Sequence, residues 1–224
     1  MNHIESLNKL YQGCAALLDP SPNNGKPRYD RIIFIGTHGT GKSTLANLLS
    51  KETGMPVVES VAREVKNILG YLEDTGMIKT NNIADYIHKD SYQNVLCSMA
   101  RWDFMRWVNT NIPCIMTRCP LDTIAYAIAD TDVSQHVVHS NLNVLREDKN
   151  FIDAIKNSMF VYFPIEFDIE DDGVRPTDKD FQKMVDEAMC KLIYEFGITP
   201  LVVHGSVDNR LKTIMQVIER YDTD

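Results

Sequence analysis

The sequence lacks the features that would take it out of the ordinary globular class. No stretch is long and apolar enough to span a bilayer, and the best candidate, 92–109, is broken by Asp and Arg. The N-terminus, MNHIESLNKL, has no basic segment followed by an apolar one, so a secretory leader is not expected. Basic residues are in deficit, 23 Lys and Arg against 31 Asp and Glu. The resulting formal charge of −8 disfavours a general nucleic-acid surface, although a local basic cleft would escape this sum. The five cysteines, at 14, 97, 114, 119 and 190, form no CxxC pair and leave one over. Reduced thiols in a cytoplasmic protein without disulfides are therefore expected. Cys97 and Cys190 sit among apolar residues of predicted helices and read as small core residues. His136 and His139 have no companion ligands at zinc spacing, and they read as a polar helix face.

What is present is the pattern of an α/β chain. Apolar residues make up 44% of the sequence, and 224 residues suit one domain with an elaborated surface. Residues 4–18 read as a short amphipathic helix, and Pro20, Pro22, Asn24, Gly25 and Pro27 mark a connector. Residues 1–30 are thus an N-terminal extension and linker, and 31–224 the main domain. From Arg31 onward strands and helices alternate, which predicts a mostly parallel five-stranded sheet in three α/β/α layers. Strands are expected at 32–35, 56–59, 113–117, 158–163 and 201–203. Helices are expected at 42–53, 60–72, 82–110, from 120, through much of 132–157, and at 181–196 and 207–221. The clearest period is that of 181–196, where Phe181, Met184, Val185, Ala188, Met189, Leu192, Ile193 and Phe196 recur on one face.

The chemistry-bearing motif is Gly36, Thr37, His38, Gly39, Thr40, Gly41, Lys42, Ser43, which fits G-x-x-x-x-G-K-[ST] and runs on into Thr44. It follows a buried strand and opens a helix, the context that gives the pattern a mechanism. Three glycines let the main chain approach phosphates, and their N–H groups form an anion nest at the positive end of a helix dipole. Lys42 is placed to reach the β- and γ-phosphates of ATP, and Ser43 to ligate Mg²⁺. His38, in a variable position, is expected to pack or to face solvent. No NKxD-type guanine-recognition stretch follows a later strand. The third strand ends in Thr117 and Arg118, not in the acid of a mechanical ATPase.

Further residues fall at strand ends. Glu59 ends the second predicted strand and is a candidate base for a hydroxyl acceptor, with Arg63 one helical turn later. Arg118 ends the third strand, with Asp122 four residues on. The segment 164–180, rich in Asp and Glu, carries Arg175. Asp168, Glu170, Asp172 and Gly173 mimic the start of an EF-hand there, but Lys179 occupies the place of the bidentate Glu. Gln93, Trp102, Phe104 and Arg101 or Arg106 lie on the predicted long helix. Gly205, Ser206 and Arg210 follow the fifth strand.

The run from Arg118 through Pro120, Asp122 and Ala125 to Tyr126 resembles the segment of thymidylate and deoxynucleoside kinases that follows their third strand. Glu59, Arg63 and Glu64, and then Asp172, Gly173 and Arg175, bring the chain closer to the AAA-type ATP-binding kinase-like family. That family is common in phages and bacteria and is related to nicotinamide riboside kinase domains. The resemblance covers about 31–220. It implies a P-loop kinase with ATP as donor and Mg²⁺, and a nucleoside, nucleotide or nucleoside-like acceptor. It further implies a lid at 164–180 bearing Arg175, Arg118 and Asp122 at the transfer site, and Arg63, Gln93 and Tyr126 around the acceptor. In related kinases the long helix builds the acceptor pocket, and Gly205, Ser206 and Arg210 stand where the donor adenine is placed. The acid that precedes the arginine in those families is Thr117 here, so the carboxylate on the Mg²⁺ side either comes from elsewhere, with Asp122 or Glu59 able to serve, or is dispensed with. Two other readings stay open: a kinase of hydroxymethylated bases in DNA, and a nucleotide-binding regulatory ATPase without a small acceptor.

Overall fold

The first strand, β1 (Arg31–Ile35), has all five residues buried, as a continuous Ile/Phe run requires when both faces of a sheet are covered. The computed structural model describes residues 31–77, 79, 87–166 and 178–222; the expected N-terminal helix and linker lie outside them. β1 pairs in parallel with β3 (Cys114–Met116) on one side and β4 (Met159–Tyr162) on the other. Outside these lie β2 (Val57–Val58), against β3, and β5 (Leu201–Val202), against β4, giving the order β2-β3-β1-β4-β5. Parallel neighbours need crossovers, and helices provide them.

Alternation along β1 divides the core into two layers. Ile33 and Ile35 join Met116, Phe160 and Tyr162 on one face of the sheet. That face is covered by α3 (Lys89–Thr110), α4 (Pro120–Ala129), α5 (Gln135–Glu147), α6 (Lys149–Lys156) and α7 (Lys179–Glu195). Ile32 and Phe34 join Ile115, Val161 and Phe163 on the opposite face, under α1 (Lys42–Thr53) and α8 (Val207–Asp222). The remaining helix, α2 (Val61–Asp74), packs beside α3. The result is the expected three-layer α/β/α arrangement. Phe104 meets Phe151 with ring centroids 5.4 Å apart, and Phe34 meets Phe163 at 4.8 Å. Burying each such side chain stabilises the fold by about 1.5–3 kcal/mol. The Tyr162 hydroxyl, deep between β4 and α7, donates to the Asp186 carboxylate at 2.7 Å.

The chain marks its own helix ends. Gly54 closes α1 at φ 71°. The expected helical stretch 132–157 is two helices, because the Asp148 carboxylate accepts from the amides of Asn150 and Phe151 and starts a new helix there. The long helix expected from residue 82 is described from Lys89, capped by His88. The face predicted for α7 is corrected at its first turns: Met184 is 42% exposed, while Gln182 is buried. A hydrogen bond, not apolar burial, decides that turn. Among the described residues no helix is long and apolar enough to cross a membrane.

Candidate functional site

The loop between β1 and α1 leaves the sheet at Gly36, whose φ is 131°. A Cβ there would lie 2.6 Å from the carbonyl oxygen of Phe163, so the loop turns where only glycine fits. Gly39 and Gly41 also hold positive φ, 75° and 86°. Thr37, His38, Thr40 and Lys42 are buried. The Lys42 ammonium donates to the Thr37 carbonyl and, at 3.1 Å, to Thr40 Oγ1. Thr40 Oγ1 in turn donates to Thr37 O at 3.0 Å. The His38 carbonyl accepts from Gln182 Nε2 at 2.8 Å, and the Thr40 carbonyl from Arg210 Nη1 at 2.7 Å.

This loop forms one wall of a cavity of about 610 Å³ at the carboxyl ends of β1, β2 and β3. Crevices of open parallel sheets lie at that end of the strands. The other walls come from Glu59, Arg63 and Asn67 around α2, Tyr92, Gln93 and Leu96 on α3, and Arg118, Asp122 and Tyr126 after β3. Two ion pairs stand in them. Arg63 Nη1 meets Glu59 Oε2 at 3.1 Å, both side chains half-buried. Arg118 Nη1 meets Asp122 Oδ1 at 3.1 Å, with Asp122 buried. Asp122 is set by the helix it starts: its other oxygen accepts the Cys119 amide at 2.8 Å at the N-terminus of α4. Burial pushes the Asp122 carboxyl up from its ordinary range, against the pull of Arg118 and of the Cys119 N–H. Burial also disfavours the Arg118 charge, and the contacts with Tyr126 and Asp122 more than restore it. The Arg118 guanidinium lies 4.9 Å from the Tyr126 ring centroid and donates to its hydroxyl at 3.1 Å. That hydroxyl lies 2.9 Å from His38 Nδ1, so the loop and the β3 end share a chain of polar contacts.

The sequence pattern of the AAA domain family matches residues 31–210. The chain belongs to that family. No curated protein matches this AAA-domain chain in sequence. Its fold is that of solved P-loop kinases. A deoxyadenosine kinase from M. mycoides, bound to dCMP and dCDP as products, superposes with a TM-score of 0.60 at 13% identity, covering 85% of this chain and 99% of that one. A thymidylate kinase from Candida albicans gives 0.59 at 16% identity, over 88% and 94%. A NadR protein in complex with NAD and AMP-PNP gives 0.56 at 16% identity, over 88% of this chain and 50% of that one.

Within this AAA-domain cavity the structure gathers most of the residues singled out in the sequence. His38 to Thr44, Glu59, Arg63, Gln93, Arg118, Asp122 and Tyr126 all line it. Gly36 and Thr37 lie behind the lining and shape the loop. Arg175 and most of the acidic segment 164–180 fall outside the described residues. His38 is buried against Tyr126, the packing alternative of the two expected for it. Gln93 Nε2 donates to the Thr123 carbonyl at 3.0 Å, which fixes its amide in the α3 wall. Other candidates on α3 do not reach the site. Phe104 is core, Trp102 is 67% exposed away from the cavity, Arg101 pairs with Asp148 and Arg106 with Asp103. Sequence reasoning missed Asn67, Tyr92, Glu166 and Gln182, none of which stands in a motif.

The donor set bears on magnesium. Half-buried Ser43 lines the cavity beside Lys42, as do Glu59 and Asp122. Among the described residues no group of three or more His, Cys, Asp or Glu could hold a metal ion unaided. That set fits Mg²⁺ arriving with phosphate oxygens as most of its ligands, since this ion keeps few protein ligands. Thr117, at the position of the missing acid, donates its hydroxyl to the Val58 carbonyl at 3.2 Å and ties β3 to β2.

Proposed function

We propose that this protein transfers the γ-phosphoryl group of ATP to a hydroxyl of a nucleoside or nucleoside-like acceptor. The observation that carries the reading is that one cavity joins the phosphate loop to a carboxylate, Glu59, and a strand-end arginine, Arg118. In this reading the loop amides and Lys42 grip the triphosphate. Ser43 would hold Mg²⁺, which when bound would supply neutralisation of the triphosphate's charge. Glu59 takes the proton of the attacking hydroxyl, the phosphoryl group passes to that oxygen, and ADP leaves. Arg118 stabilises the charge spread over the transferring group, held in direction by Asp122 and Tyr126. Arg63 and Gln93 border the acceptor, and Arg175 adds charge from the acidic segment.

A specific observation favours a hydroxyl over a phosphate monoester. Arg63 and Arg118 each already face a carboxylate four residues away. A phosphate acceptor needs arginines to offset its own charge. A monophosphate acceptor remains the second reading, because both arginines line the cavity.

The test is transfer of labelled phosphate from ATP across nucleosides, nucleotides, riboside cofactor precursors and hydroxymethylated DNA. One hydroxyl acceptor should raise turnover sharply, with Lys42→Ala abolishing transfer and Glu59→Gln lowering kcat about 10²-fold or more. Turnover unmoved by any acceptor would leave the regulatory ATPase instead. Full activity in Glu59→Gln would remove the base.

A further inference from the structure

Two side chains outside the cavity wall hold the phosphate loop from behind. Gln182, in the first turn of α7, donates to the His38 carbonyl at 2.8 Å. Arg210, in the first turn of α8, donates to the Thr40 carbonyl at 2.7 Å. Both are buried, at 3% and 2% exposure, and neither lines the cavity. The two carbonyls belong to the peptides that precede Gly39 and Gly41. Glycine has little steric bias between positive and negative φ, so these are the loop peptides with least resistance to turning over. Among the described residues no peptide is cis, and in a trans peptide the carbonyl and the following N–H point in opposite directions. Fixing the His38 carbonyl toward Gln182 therefore turns the Gly39 N–H away from it. Fixing the Thr40 carbonyl toward Arg210 does the same for the Gly41 N–H. Both glycines line the cavity.

We propose that Gln182 and Arg210 are positioning residues that set the direction of the Gly39 and Gly41 amides and thereby the affinity of the loop for polyphosphate. This rests on the reading that the loop binds a triphosphate. Arg210 is itself held: Nε donates to the Gly205 carbonyl at 2.9 Å and Nη2 to Glu166 Oε2 at 2.7 Å. Glu166 also accepts the Gly205 amide at 2.8 Å and meets His204 Nδ1 at 2.5 Å. Its carboxyl lies below its ordinary range: burial raises it, and the Gly205 N–H, Arg210 and His204 more than reverse that. The guanidinium thus ties the phosphate loop to the β5–α8 turn and to Glu166, four residues past the end of β4. The Gln182 latch works from a different helix, so the two act on separate peptides.

The experiment uses the full chain and titrates ATP and inorganic tripolyphosphate, each with magnesium, by calorimetry. Gln182→Met keeps the side-chain length and removes the donor. Arg210→Lys keeps a cation for Glu166 but not the fork that spans three acceptors. Each variant should lose about tenfold in affinity for both ligands alike, the loss expected when an amide no longer faces a charged oxygen. The thermal midpoint should fall by some degrees, as loss of a buried hydrogen bond requires, but the acceptor KM measured well below it should stay near wild type, which a merely structural role would not predict. Should one variant fail to fold, the other carries the test. Failure of both to fold would assign the residues to folding and overturn the proposal. Affinities within twofold of wild type would also overturn it, as would a loss confined to ATP, which would point to base recognition. If the wild type binds neither ligand, the proposed function falls instead.

Discussion

Replacing Gly36 by alanine tests whether the phosphate loop is seated by its contact with the end of β4. The new Cβ would lie 2.6 Å from Phe163 O and 3.5 Å from Phe163 Cβ. An ordinary carbon–oxygen approach is about 3.3 Å or more, so the overlap is roughly 0.7 Å. The oxygen cannot yield easily. The Phe163 amide donates to Ile35 O at 3.0 Å, and its ring is fully buried against Phe34. Backbone strain at φ 131° adds about 1–3 kcal/mol, and displacing a packed strand end a further ~1–3 kcal/mol. Gly54→Ala is the control, since Gly54 has φ 71° and nothing within 4 Å of a Cβ. It carries strain alone, about 1–2 kcal/mol. Urea unfolding should place Gly36→Ala about 2–3 kcal/mol below Gly54→Ala, or roughly 4–12 °C lower in Tm for a chain of this size. Affinity for ATP should fall only in the Gly36 variant. If the two variants unfold within about 0.5 kcal/mol of each other, the close-approach reasoning is refuted.

Asp122→Ala removes a buried acceptor from both Arg118 and the Cys119 amide and should cost about 2–4 kcal/mol by chemical denaturation. Transfer should be lost with it, and a variant as stable as wild type would contradict the ion pair. Gly70 lies inside α2 with open space around it and no positive φ, so Gly70→Ala should stabilise the fold by about 0.5–1 kcal/mol in the same assay. Burial pushes the thiols of Cys97, Cys114 and Cys190 up to about 11. At pH 8 these groups are therefore almost wholly protonated, with thiolate appearing only as pH rises toward 11. Alkylation mapped by mass spectrometry at pH 8 should be slow in the folded protein and fast in denaturant. Rapid labelling at all three without denaturant would contradict their burial.

The parts legible in the sequence are those set by local rules. A run such as Ile32–Ile35 has few ways to hide its apolar atoms except inside a parallel sheet. The glycine spacing from Gly36 to Gly41 fixes a loop between that strand and a helix. Arg118 and Asp122 were legible because a strand end and a helix start are adjacent in the chain. Gln182 was not, because its partner lies 144 residues away and nothing in the pattern of α7 distinguishes a buried amide from a surface one. The same holds for Glu166, whose role depends on the β5–α8 turn and on Arg210, 44 residues on. Met184 was misplaced for the converse reason: periodicity sees an apolar residue but not that the buried place at this turn goes to Gln182. Whether Trp102 and Arg106 face a pocket was not legible, because helix composition does not tell which face looks inward.

The cavity wall carries three cations, Lys42, Arg63 and Arg118, against three carboxylates, Glu59, Asp122 and Asp130. A guanidinium partly withdrawn from water is stabilised by a counter-charge beside it. Here both counter-charges come from four residues along the chain, and both stand at helix N-termini: Glu59 just before α2, Asp122 in the first turn of α4. The helix dipole favours an anion at each place. The dipole thus places the carboxylate, and the carboxylate places the arginine. Amide dipoles of the loop, by contrast, need no counter-ion when empty, only a fixed direction. A phosphate acceptor would have to draw an arginine from a dipole-stabilised partner. A hydroxyl needs one lone pair of Glu59, which its pairing with Arg63 leaves in place, and that asymmetry is why the proposed acceptor is an alcohol.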